Sequence, residues 1–201
     1  GLFFLLMLEL QNALGYDPFA AGLSLLPMNA IMLTLSPLAG RLAQRVGPRL
    51  PMTAGCLTAS VGLLLFRRVQ PGASYATVVL PALLVFALGM ASLVAPLTAA
   101  VLGAVETRLA GVASAVNNAV ARLAGLLATA VLPAAAGLGG AGSLAGPRLA
   151  AAFPRAMTIG AALCAAGGVV AWLTVRDARP AGSPEATPPG ATGSRQATRR
   201  S

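Results

Sequence analysis

The chain has 201 residues, of which 57% are hydrophobic and 9% charged, far below the roughly 25% charge of a soluble domain. That composition excludes a water-soluble globule. The formal charge is +9 with no histidine, but all fourteen cationic residues are arginines scattered between apolar runs, which excludes a nucleic-acid-binding face with interleaved aromatics.

A hydrocarbon core about 30 Å thick takes about 20 apolar residues to cross. On that ruler the sequence predicts an all-α polytopic membrane bundle of about six spans, at 1–14 (partial), 19–40, 50–66, 75–103, 111–136 and 156–175. The first span opens mid-run on "GLFFLLMLELQ" without the basic leader of a signal peptide, and reads as a piece of something longer. Its Glu9 is the only acid inside an apolar run, about 7–8 Å below the outer interface, and either snorkels there or carries a proton. The "GYDP" turn leads into 19–40, where Pro27 predicts a kink, and "LSPLAG" closes that span. The loop "GRLAQRVGPR" follows at 40–49, with Arg41, Arg45 and Arg49 spaced four apart. Spans 50–66 and 75–103 are separated by "QPGAS"; the second holds Gly89 and Pro96, a helix-packing glycine and a kink. Cys56 and Cys164 sit in apolar segments as small core residues, with no disulfide or metal pairing implied.

The span 111–136 carries "GVASAVNNAVARLAG". At about 100° per residue, Gly111, Ser114, Asn118, Arg122 and Gly125 fall within an arc of roughly 80°, with Asn117 to one side. For Gly111, Ser114 and Gly125 the bland reading is a tight helix seam, since small residues let backbones approach. Arg122 lies about 17 Å past Gly111 along the helix, near the midplane, where an arginine costs at least ~2.5–3.5 kcal/mol. Two readings remain open: a place in a substrate pathway together with Asn118, Asn117 and Ser114, or a structural arginine bonded to carbonyls at a broken helix. Glu106 is in a loop and Glu9 near the opposite interface, so a carboxylate partner is easiest to place in a part of the protein outside this sequence. After the Gly-rich "GLGGAGSLAGPR" and the last span, residues 176–201 turn rich in Pro, Gly, Ser and Thr and read as a disordered cytoplasmic tail.

The arginines near span ends lean toward one orientation without deciding it. With the tail cytoplasmic, that side holds Arg41, Arg45, Arg49, Arg108, Arg176 and Arg179, against Arg67, Arg68, Arg148 and Arg155 outside. Tyr16 and Tyr75 then sit at the outer interface and Trp172 at the inner one. Enzyme chemistry fails on inventory: there is no histidine, and the only aspartates, Asp17 and Asp177, lie in a loop and the tail. No catalytic residue, metal or cofactor is expected.

The motifs taken together carry a resemblance. Gly40, Leu42, Ala43, Arg45, Gly47 and Arg49 match the second, degenerate copy of the major facilitator signature, with Gln44 where that signature has Asp. "LQNALGYDPFAAGLSLLP" and "GVASAVNNAVARLAG" are similar to segments of the fourteen-helix drug:proton antiporters, and "ALGMASLVAPLTAAVLG" also fits. The resemblance covers residues 1 to about 175. It implies the C-terminal part of a plasma-membrane transporter that exports hydrophobic or amphipathic small molecules against protons, with a missing N-terminal half and membrane lipid as partners. A non-transporting membrane subunit or scaffold is the alternative.

Overall fold

The computed structural model describes residues 2–103, 105–138 and 146–175; the expected tail at 176–201 lies outside them. The described residues form helices α1 (Leu2–Leu14), α2 (Pro18–Leu23), α3 (Leu26–Val46), α4 (Arg49–Phe66), α5 (Leu80–Gly103), α6 (Ala110–Ala135) and α7 (Gly146–Thr174). A π-helical turn at Tyr75–Val79 leads into α5 and a 3-10 turn at Thr107–Leu109 into α6. No strand occurs among the described residues, and the all-α bundle is the observed fold class. Five stretches among them are long and apolar enough to cross a membrane: Pro18–Val46, Arg49–Phe66, Tyr75–Val101, Ala110–Ala135 and Gly146–Thr174.

Lipid removes the hydrophobic drive between helices, so close backbone contact has to hold them together. The α4–α5 seam is built that way. A Cβ added to Gly62 would lie 2.6 Å from the Phe86 amide nitrogen, and one added to Gly55 would lie 2.8 Å from the Gly89 carbonyl oxygen. On the opposite side of α4, Ser60 donates to the Ala161 carbonyl of α7 at 2.9 Å, and a Cβ on Gly168 would meet Cys56 at 3.0 Å. Large side chains fill the space beyond these seams: Leu5, Leu6 and Leu10 of α1, Phe66, Leu83, Phe153 and Met157 are almost wholly buried. Phe3 meets Phe86 edge-on at 5.8 Å.

At one end of the bundle, helices are tied by polar contacts to backbone. Asn12 accepts from the Gly146 amide at 2.9 Å and donates to its carbonyl at 3.3 Å. The Tyr75 hydroxyl donates to the Ser24 carbonyl at 2.6 Å, at the break between α2 and α3. Asp17 caps α2 by accepting from the Ala20 amide at 2.9 Å, with Pro18 in its first turn. Pro27 occupies the first turn of α3, just after the break between α2 and α3 within the Pro18–Val46 span, where its missing N–H is no loss. Pro96 lies inside α5 as expected of it, and it is buried.

Candidate functional site

The polar residues of α6 stand on a helix that this chain scarcely covers. Its first turn follows a bond from the Leu109 amide to the Glu106 carbonyl at 2.8 Å, and only Leu132 and Pro133 within it are buried. The helix is therefore anchored at its C-terminal end, next to buried Ala136 and Leu138, and open along the rest. Arg122 falls in the middle of Ala110–Ala135, about 18 Å from its start, and is exposed together with Asn118; Asn117 and Ser114 are half-buried. Ser114, Asn118 and Arg122 are spaced by four and share one face.

Gly111 and Gly125 face no neighbour among the described residues, since a Cβ added to either meets nothing within 4 Å. The seam lies at Gly89, whose added Cβ would come within 2.7 Å of both the Ala59 Cα and the Gly55 carbonyl oxygen. Sequence reading picked out Gly89 and missed its partners Gly55 and Ala59 on α4, and Gly62, which packs on Phe86 along the same seam. The signal was present, since Gly55 and Ala59 form a small-xxx-small pair.

The stretch at 40–49 is likewise not a loop throughout. Residues Gly40, Arg41 and Arg45 belong to the last turns of α3, which runs to Val46, because Leu, Ala, Gln and Arg are all good helix formers. The chain turns at Gly47, with φ of 87°, and Pro48, and Arg49 opens α4. Arg49 holds its guanidinium carbon 3.9 Å from the centre of the Trp172 ring, joining the start of α4 to the end of α7. Arg41 and Arg45 are exposed. Gly40 lies against α5, its added Cβ 3.7 Å from Ala95.

Glu9 does not snorkel. Its exposure is 0%, and neither carboxylate oxygen has a hydrogen-bond partner. Leu5 and Leu6, one turn before it on the same face, are buried as completely. The structure thus does not join Glu9 to Arg122 by a hydrogen bond, and the two stand apart as a closed acid and an open cation. No group of three or more His, Cys, Asp or Glu that could hold a metal occurs among the described residues. Cys56 and Cys164 are free thiols.

Comparison with known proteins gives this geometry its context. The sequence profile of the Major Facilitator Superfamily matches residues 1–129. Multidrug resistance protein Stp of Mycobacterium tuberculosis (strain CDC 1551 / Oshkosh) is 35% identical over 123 residues, covering 61% of this chain and 22% of that protein. Puromycin resistance protein pur8 of Streptomyces alboniger is 33% identical over 135 residues, 66% of this chain and 27% of that protein. The tetracenomycin C resistance and export protein of Streptomyces glaucescens is 30% identical over 132 residues, 66% and 24% respectively. The chain therefore spans about a quarter of the length of these relatives.

Proposed function

Because the chain belongs to the Major Facilitator Superfamily, we propose that it forms part of an exporter of hydrophobic or amphipathic drugs driven by proton entry. It is a multi-pass protein of the plasma membrane. The observation that carries the reading is the open polar face of α6. An arginine at mid-span cannot face hydrocarbon without a cost of several kcal/mol, so Asn118 and Arg122 are turned to a water-filled pathway, with Ser114 and Asn117 at its edge. The relatives named for resistance or export of puromycin and tetracenomycin C support this substrate class. In this reading α6 lines one wall of a cavity near the midplane, and access alternates by rocking of helix bundles. Arg122 presents a planar, permanently charged fork to an anionic group of the substrate or to a carboxylate of the facing wall. Glu9 is the proton carrier on this side of the pathway.

The test is export from cells producing the intact protein as its host encodes it. Arg122→Leu is expected to abolish drug export while the protein stays in the membrane at its usual level, and Arg122→Lys to retain export only if charge suffices without the fork. Normal export by Arg122→Leu would remove the arginine from the pathway. Loss of that variant from the membrane would assign it a structural role.

A further inference from the structure

A second polar feature lies away from α6. A cavity of about 570 Å³ opens between α3, α4 and α5, lined by Leu35, Leu38 and Leu42 of α3, Ala54 of α4 and Ser92 of α5, with Arg41 and Arg45. Among the described residues, no carboxylate lines it. Arg41 and Arg45 are one turn apart, about 6 Å along the axis, which lets two guanidinium groups flank one phosphate. Towards the start of α3 the lining becomes apolar, and from Arg45 to Leu35 it runs about 15 Å along the helix. That is the depth of one leaflet, half of a hydrocarbon core about 30 Å thick.

We propose that this groove is a binding site for one anionic phospholipid of the cytoplasmic leaflet. Its phosphate sits between Arg41 and Arg45, and one acyl chain lies along Leu35, Leu38 and Leu42. The connection between α3 and α4 is on the side toward which the arginine count leans as cytoplasmic, where anionic lipids concentrate and basic pockets between helices take their headgroups. The charge selects the ligand: two arginines with no acid among the described lining residues favour a headgroup of net negative charge, and a headgroup that adds an ammonium beside its phosphate gains less. The apolar walls select it further, because a free phosphate has no use for them. Arg49 is engaged with Trp172 and is not needed. The proposal does not depend on the transport reading.

The experiment uses the intact protein as its host encodes it, purified in detergent and titrated with phosphatidylglycerol or phosphatidylcholine of identical chains, with bound lipid counted by native mass spectrometry. Phosphatidylglycerol is expected to be retained about 10-fold or more over phosphatidylcholine, on the scale of two interfacial arginines. The double variant Arg41→Gln/Arg45→Gln should lose that preference. Both positions are exposed, so the variant is expected to fold, and an unchanged melting curve checks that it does. Ala54→Trp, which fills the apolar slot without touching charge, should lower retention of both lipids. Arg108→Gln, on the same side but outside the groove, should change nothing. Equal retention of the two lipids by the unsubstituted protein, or undiminished preference in the double variant, overturns the proposal. Displacement of the lipid by millimolar inorganic phosphate would make this a free-anion site. If no lipid binds and a cysteine at position 38 is shielded from a water-soluble thiol reagent, with Cys56 and Cys164 first replaced, another segment of the protein fills the groove and the lipid site is wrong.

Discussion

Gly89→Ala is expected to loosen the bundle although it adds a single methyl group. The added Cβ would lie 2.7 Å from both the Ala59 Cα and the Gly55 carbonyl oxygen, which are backbone atoms of α4 with no rotamer to move aside. Restoring ordinary contact at about 3.5–4.0 Å requires α4 and α5 to part by roughly 1 Å, a gap that forfeits about a quarter to a half of each dispersion contact it opens. The facing contacts at Gly55 and at Gly62 with Phe86 open with it, since all lie along one seam. Overpacking of a tight core costs about 1–3 kcal/mol. Against this, alanine gains up to about 1 kcal/mol of helix propensity over glycine. Net of that gain, the clash costs up to about 2 kcal/mol, which lowers the folded-to-unfolded ratio by up to roughly 30-fold. Gly111→Ala, where nothing lies within 4 Å, gains the propensity without a clash. Thermal unfolding of the two variants in detergent, followed by intrinsic fluorescence, measures the contrast. If Gly89→Ala melts with or above the unsubstituted protein, the reasoning about the α4–α5 seam fails.

Two further substitutions probe other contacts. Glu9→Gln should leave membrane levels intact, because an isosteric neutral amide replaces an unpartnered buried acid, and should abolish export driven by a pH gradient; unimpaired gradient-driven export by this variant would refute its role as proton carrier. Trp172→Ala should remove the Arg49 stack and cost about 0.5–2 kcal/mol, read as a lowered melting temperature; Trp172→Phe should recover part of it, and a melt unaffected by either would show that the contact holds nothing.

Much of the architecture was legible because lipid imposes a simple ruler. Apolar length reads as a spanning helix whatever its partners, and turn residues such as "GYDP" and "RVGPR" mark where spans stop. What was less legible depends on what a residue faces. Gly55 and Gly62 lower the apolarity of α4 when read alone, and only the α5 backbone lying against them gives them meaning. Gly111 and Gly125 look the same in sequence and face no helix among the described residues. The end of α3 was misjudged for a local reason: arginines mark a membrane boundary, but they do not stop a helix, and α3 carries Arg41 and Arg45 past the span to the left-handed Gly47. Glu9 was placed by its distance along α1, which says nothing about which way the carboxyl points. Its burial is a property of the packed helices.

The polar side chains of the described residues divide in a way that bears on function. Asn12, Ser60 and Tyr75 each close on a backbone group of another helix or turn, as polar groups in a membrane bundle must when their task is to hold it together. Glu9 has no such bond, and Arg122 is presented outward from α6. A structural assignment for Arg122 therefore needs a partner beyond these helices, which the facing wall of a transporter would provide. Glu9 cannot be satisfied from outside in the same way, since a carboxyl of 0% exposure is reached by water or a partner only if the helices around α1 move apart. A proton that binds there can enter and leave only with such a motion. On the proposed transport reading, alternating access would supply that motion, and the buried acid and the open arginine would then serve one cycle.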